Sequence, residues 1–216
     1  WIDEYRSKWP YQRTRRDPEF FSRYARSGLP LFVDMTLMPS YQGGIVKHIP
    51  GRKPEKDAFT VPGPANVHWM PWSLHDPEGR SLYRKMFRFS AEYYRNEKIA
   101  PFVYELFNEP DYNDYGRPAR KAFADAMRKR YGSIDRLNAA WHTGYSGFET
   151  ITAFRNENEN PALGVEWKRF MQQSFAGIVR EGVEIIRSVD PRPEALYCVQ
   201  PNNFRTSNND LFLTNQ

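Results

Sequence analysis

Three short apolar runs alternate with helical segments along this chain, and this order restricts its fold more than any other feature. The apolar runs have the length of buried strands and are 29–39, 99–109 and 194–201. Apolar spacing and terminating residues predict helices over 17–27, 79–97, 117–131, 133–141 and 163–188. Strands that alternate with helices are joined by right-handed crossovers, so the sequence predicts a parallel α/β sheet.

The chain length limits how this sheet is completed. A closed (β/α)₈ barrel usually needs about 250 residues, and three strands with long connections already occupy most of the 216 residues. The chain is therefore either an open sheet or the central portion of a (β/α)₈ TIM barrel. We interpret 1–216 as part of one barrel domain of a larger protein, with a long insertion loop at 40–78 and a helical insertion at 117–142.

The composition excludes several classes of function. The net charge is +5, but the basic residues are scattered and match no nucleic-acid-binding motif, so we expect no nucleic-acid partner. No run of about 18 apolar residues occurs, so we expect no membrane span or membrane partner. No signal peptide is visible in these residues, and we expect a soluble protein that is cytoplasmic, secreted or periplasmic. A single cysteine, Cys198, excludes an internal disulfide framework and a multi-cysteine zinc site.

The second apolar run ends in the sequence YELFNEP, from Tyr104 to Pro110. Asn108 and Glu109 close this predicted strand, and Pro110 prevents it from continuing. The strand thus presents an amide and a carboxylate at its carboxyl edge. Glu109 could instead cap the following loop and pair with an arginine, but its position after an apolar strand favours a functional role.

An Asn-Glu pair at the end of a barrel strand resembles the signature of clan A glycoside hydrolases, and the downstream sequence is similar to family 42 β-galactosidases. In that family a helix ending in Lys-Tyr-Gly is followed by Leu-Asn-x-x-Trp-Gly-Thr. The matching residues here are Tyr131, Gly132, Leu137, Asn138, Trp141 and Thr143. The resemblance covers about residues 99–202, and it implies that the three apolar runs are strands three to five of the barrel.

The resemblance implies a retaining glycoside hydrolase, without a cofactor, that acts on a β-linked sugar. The substrate is a β-galactoside or a plant or algal polysaccharide. Glu109 corresponds to the general acid/base of this group, and Asn108 to the residue that contacts the sugar 2-hydroxyl. Many family members have a metal-binding cysteine cluster after the acid/base; here the sequence PDYNDYGRP takes its place, and we expect no metal.

Glycoside cleavage needs a second carboxyl group as nucleophile. No glutamate after Glu109 ends an apolar run, so we expect the nucleophile to lie outside this chain. A non-catalytic carbohydrate-binding barrel, which would lack the second carboxylate, is the alternative hypothesis.

The long loop at 40–78 contributes the remaining candidate residues, because strand-to-helix loops form the active-site face of a barrel. Its aromatic residues Tyr41, Trp69 and Trp72 either stack on sugar rings or bury the loop against the barrel rim. Asn202, after the third strand, either binds sugar hydroxyls or forms a turn. We interpret His68 and His75 in the same loop as histidines bonded to the backbone rather than as metal ligands.

Overall fold

The computed structural model describes residues 18–35, 70, 72–96, 102–108, 110, 112–151, 160–192 and 195–200. The elements in chain order are α1 (Pro18–Ser27), β1 (Leu31–Asp34), α2 (Pro77–Tyr94), β2 (Phe102–Asn108), α3 (Arg117–Tyr131), α4 (Ile134–Trp141), a 3₁₀ turn (Phe148–Thr150), α5 (Pro161–Val189) and β3 (Ala195–Gln200). The strands form one sheet in the order β1-β2-β3, and both neighbouring pairs are parallel, as predicted. None of the described helices combines the length and hydropathy needed to cross a membrane.

Capping residues set the ends of the helices. The Asp76 carboxylate accepts hydrogen bonds from two backbone N–H groups of the first turn of α2, which therefore begins at Pro77, two residues before the predicted start. Ser133 and Asn160 cap α4 and α5 in the same way. Helix α1 is followed by Gly28 at φ +67°, a backbone conformation that favours glycine, so this residue ends the helix.

Helices α2 and α5 pack together on one face of the sheet. Phe107 of β2 contacts both helices, because its ring lies 5.8 Å from that of Phe87 and 5.3 Å from that of Phe175. Gly182 lets α5 approach closely: a Cβ atom there would lie 2.8 Å from Leu106 Cδ2 and 2.9 Å from Phe87 Cε2. The close contact between α5, α2 and β2 therefore requires glycine at this position.

The residues that carry the family resemblance hold α3 and α4 together as a helical hairpin. Trp141 Nε1 donates a hydrogen bond to the Tyr131 hydroxyl over 2.9 Å. Asn138 Oδ1 accepts hydrogen bonds from Thr143 Oγ1 at 3.0 Å and from the Tyr145 backbone N–H at 2.9 Å. Tyr131, Asn138, Trp141 and Thr143 therefore stabilise the local structure of the hairpin.

Replacement of Gly182 by Ala tests the close helix contact. We expect Gly182→Ala to lower the free energy of unfolding by about 1–3 kcal/mol, because the added methyl group overpacks the core. Gly177→Ala on the same helix is the matched control, since a Cβ there meets nothing within 4 Å. It should be neutral or stabilising, because alanine favours helix more than glycine does. Denaturant titrations that give equal effects for the two variants would contradict this packing.

Candidate active site

The two faces of the sheet have different surroundings. Successive side chains of a strand point to opposite faces, and the face opposite to α2 and α5 is called the inner face here, because helices surround a (β/α)₈ barrel from outside. Phe32 of β1 and Leu196 of β3 are 58% and 53% exposed, and both pair in register with Val103 of β2. The inner face therefore carries apolar side chains that the described helices do not cover.

An irregularity in β2 determines which side chains reach the carboxyl end of the inner face. Between the register pairs Glu105–Cys198 and Asn108–Gln200, β2 has two residues where β3 has one, which is the pattern of a β-bulge. Leu106, which has no register partner, and Phe107, which pairs with Val199, are both buried on the helix-covered side. The bulge thus returns the last residue of the strand, Asn108, to the same face as Glu105.

Asn108 is half-buried at the carboxyl end of β2. In a parallel barrel this edge forms the active-site face, and the sugar-contacting role of Asn108 stays a prediction. Glu109, Tyr41, Trp69 and Asn202 lie outside the described residues, and their roles remain predictions.

The structure shows Trp72 in the core. Its side chain has no exposed surface, and its ring meets that of Tyr83 edge to face at 5.1 Å between centroids. The Tyr83 hydroxyl also bonds the backbone of Trp72, at 3.3 Å from both its N and its O atoms. Stacking on a sugar needs an exposed ring face, so we assign Trp72 to the packing of the loop, the second of the two roles considered, and leave it out of the site.

The middle of the inner face carries a row of polar side chains that sequence reasoning missed. Asp34, Glu105 and Cys198 are neighbours in register on the three strands. Glu105 is only 7% exposed, and burial, together with the Asp34 carboxylate, raises its pKa. Burial and then the Glu105 carboxyl raise the pKa of the Cys198 thiol, which disfavours a reactive thiolate. A charged residue within the apolar run FVYELFN was the available signal for Glu105.

Metal-ligand groups do not come together in the described ranges, where no set of three or more His, Cys, Asp or Glu side chains is arranged to hold an ion. His75 stacks on Phe170, with ring centroids 4.7 Å apart, and burial lowers its pKa to about 4. The neighbouring Asp76 caps α2. His68 lies outside the described residues.

A buried hydrogen-bonded cluster joins the chain after β2 to the segment before α2. Ser73 Oγ and the Tyr112 hydroxyl both donate to Asp114 Oδ2, over 2.5 Å and 3.0 Å. The Tyr112 hydroxyl also accepts a hydrogen bond of 2.9 Å from the Leu74 backbone N–H. Ser73, Tyr112 and Asp114, called the loop tether here, are all fully buried. No motif in the sequence indicated this cluster.

Comparison with known proteins places the chain in a family. The model of glycoside hydrolase family 42, described as beta-galactosidase, matches residues 65–210. The chain belongs to glycoside hydrolase family 42. The family model spans β2, all the helices from α2 onwards and β3.

A similar beta-galactosidase is much longer than this chain. Beta-galactosidase BbgII of Bifidobacterium bifidum is 28% identical over 153 residues, which make up 64% of this chain and 21% of that protein. The chain thus spans about a fifth of the length of this curated relative.

Solved structures show the fold of which this chain is part. The β-galactosidase Gan42B of G. stearothermophilus has a TM-score of 0.63 at 18% identity, over 80% of this chain and 26% of that one. A family 42 exo-carrageenase from Bacteroides ovatus has a TM-score of 0.54 at 17% identity, over 86% of this chain and 31% of that one. The three strands and their helices are accordingly a portion of a (β/α)₈ barrel, as predicted.

The ionisation of Glu105 predicts a pH-dependent stability. The pKa of Glu105 is raised in the folded state, so as the pH rises the carboxyl group loses its proton first in the unfolded chain. The free energy of unfolding therefore decreases as the pH rises from the unfolded-state pKa to the folded-state pKa of this group. Glu105→Gln removes this dependence. In the full-length protein, the free energy of unfolding of Glu105→Gln should increase relative to that of the wild type as the pH rises above about 4, which is the usual pKa of an unperturbed glutamate.

Denaturant titrations between acidic and neutral pH measure this difference. Glu184→Gln is the control, since Glu184 is an exposed residue of α5, and its effect should change little with pH. A Glu105→Gln effect that is the same at every pH would contradict the assigned ionisation.

Proposed function

We propose that the protein is a retaining glycoside hydrolase that cleaves β-linked sugars, with β-galactosides as the first candidate substrates. The observation that carries the proposal is the position of Asn108, which the β2 bulge brings to the inner face at the carboxyl end of the strand. Glu109 follows it directly in sequence, and active sites of (β/α)₈ enzymes lie at this end of the strands.

In the proposed reaction Glu109 acts first as an acid and then as a base. A carboxylate nucleophile attacks the anomeric carbon while the glycosidic C–O bond breaks and the leaving oxygen takes the Glu109 proton. The Glu109 carboxylate then removes a proton from water, which attacks the same carbon and releases the nucleophile. Two successive inversions give a sugar product with the original anomeric configuration.

Asn108 is proposed to bind the sugar 2-hydroxyl. A hydrogen bond at this position strengthens as the ring acquires oxocarbenium character, so it lowers the barrier more than it tightens substrate binding. An amide on a strand is well suited to this role, because the sheet holds its backbone in place.

We propose that the nucleophile comes from a part of the protein outside these 216 residues. Among the described residues after β2, every glutamate lies on a helix or on the 3₁₀ turn. Glu149, Glu166 and Glu181 each form ion pairs with arginine side chains. The similar beta-galactosidase BbgII is about five times as long as the matched region, which leaves ample room for a second carboxylate.

The finding that every described glutamate after β2 lies on a helix or on the 3₁₀ turn also favours a second candidate function, a non-catalytic carbohydrate-binding barrel. Such a protein would keep the inner face and Asn108 but would lack the second carboxylate. Full-length protein that binds galactose and hydrolyses no aryl β-galactoside would establish this alternative. The substrate could also be a polysaccharide, since one structural neighbour in the family is an exo-carrageenase.

Substitution of Glu109 tests the acid/base role. In full-length protein, Glu109→Gln should lower kcat/KM for alkyl β-galactosides by about 10²–10⁴-fold, the usual contribution of a general acid. For dinitrophenyl β-galactoside the loss in kcat/KM should be small, because that leaving group departs without a proton. Initial rates on both substrates measure the difference, and Glu184→Gln is the control.

Azide gives a second readout for the same residue. With Glu109→Ala, azide should raise turnover of the dinitrophenyl substrate and yield the β-galactosyl azide, because the small anion attacks where water no longer finds a base. Wild-type kcat/KM on both substrates, or no azide product, would remove Glu109 from the mechanism.

A substrate that lacks the 2-hydroxyl tests Asn108. We expect Asn108→Ala to lower kcat/KM for an aryl β-galactoside by about 10–100-fold, since one transition-state hydrogen bond is lost. For the 2-deoxy substrate the same variant should change kcat/KM less than threefold on this reasoning. Equal losses on the two substrates would show that Asn108 contacts another part of the sugar or acts only through stability.

A further inference from the structure

We propose that Ser73, Tyr112 and Asp114, the loop tether, are positioning residues for the Glu109 acid/base. This inference rests on the proposed function and extends it to residues that make no contact with the sugar. It concerns how the chain that carries the acid is held at the correct distance from the glycosidic oxygen.

Two residues of the tether, Tyr112 and Asp114, follow Glu109 closely in the sequence. Asn108, the residue before Glu109, is fixed in the hydrogen-bonded ladder between β2 and β3. Pro110, the residue after it, is buried, and Tyr112 is anchored in the core two residues later. The chain is therefore held on both sides of Glu109, by the sheet before it and by the tether after it.

Several hydrogen bonds converge on Asp114 and hold the tether together. Asp114 uses both carboxyl oxygens: Oδ2 accepts from Ser73 and Tyr112, and Oδ1 accepts from the Gly116 backbone N–H over 2.8 Å. Its side chain is fully buried, and a buried carboxyl group without hydrogen bonds is costly. Separating residues 112–116 from the segment before α2 would break several of these bonds together, so these residues are strongly held in one position.

A similar pair of residues, Tyr104 and Asp190, lies at the opposite end of the sheet. There the hydroxyl of Tyr104 on β2 donates to Asp190 Oδ2 over 2.6 Å, and both residues are buried. Asp190 lies in the connection from α5 to β3, and helix-to-strand connections form the stability face of a barrel. The two Tyr–Asp pairs are alike in chemistry and burial, but the Tyr112 pair lies beyond the carboxyl end of β2 and follows the proposed acid by three to five residues in sequence.

Proton donation is sensitive to small displacements, and a shift of about 1 Å can lower a rate by about 10²-fold. Loss of the tether should therefore weaken protonation of the leaving group in particular. The signature is a dependence on the leaving group, which a general loss of stability would not produce.

The experiment compares Tyr112→Phe and Ser73→Ala with the control Tyr104→Phe in full-length protein. At a temperature where all variants are folded, kcat/KM is measured for alkyl and dinitrophenyl β-galactosides. We expect the two tether variants to lose about 10–100-fold on the alkyl substrate and less than about threefold on the dinitrophenyl substrate. Tyr104→Phe should lower the unfolding temperature and leave the ratio of the two kcat/KM values at the wild-type value.

Several outcomes would overturn the inference. One is that the tether variants unfold at a lower temperature but keep the wild-type ratio of kcat/KM for the alkyl and dinitrophenyl substrates. Another is that Tyr104→Phe changes this ratio as much as the tether variants do. If Tyr112→Phe does not fold, Ser73→Ala alone decides, because it removes one hydrogen bond and keeps the Tyr112 ring. Glu109→Gln is measured in parallel: if it leaves the ratio unchanged, the proposed function fails, whereas a normal Glu109 result with unchanged tether variants rejects only the tether.

Discussion

The extra residue in β2 is the constraint on which the rest of the site depends. In a regular strand Asn108 would point toward α2 and α5, because it lies an odd number of residues after Glu105. The bulge between Glu105 and Phe107 reverses this orientation and leaves the side chains of Leu106 and Phe107 in the core. One local irregularity therefore makes a buried apolar strand compatible with a polar group at its carboxyl end. Bulges next to active sites commonly re-aim a side chain in this way.

The two ends of the sheet are stabilised by similar chemistry and serve different purposes. Tyr104 and Asp190 fix β2 to the connection before β3, and Arg192 adds hydrogen bonds to the same carboxylate. At the other end, Tyr112 and Asp114 fix the loop after β2 to the segment before α2. Between these ends, Gly182 allows α5 to approach the strand. The strand is thus held along its length, which gives the loops that follow it a rigid base.

Much of the fold could be predicted from the sequence, because strand length, helical spacing and caps are local signals. Ser133 caps α4 and Gly28 ends α1, at the boundaries of the predicted helices 133–141 and 17–27. The place of Asn108 at the end of β2 and the family were also accessible, the latter through residues that build the α3–α4 hairpin. The bulge and the loop tether were not, since both depend on pairing between segments distant in sequence. Trp72 illustrates the same limit: its packing on Tyr83 depends on tertiary contacts, and an aromatic residue in a long loop is compatible with either role.

The most direct test of this account is a crystal structure of the full-length protein with bound galactose. The account predicts that the sugar lies at the carboxyl ends of the strands, with the Asn108 amide about 3 Å from its 2-hydroxyl, the distance of a hydrogen bond. The Glu109 carboxyl should lie on the side of the anomeric oxygen. A sugar bound at another end of the sheet, or an Asn108 side chain turned toward α2 and α5, would contradict it.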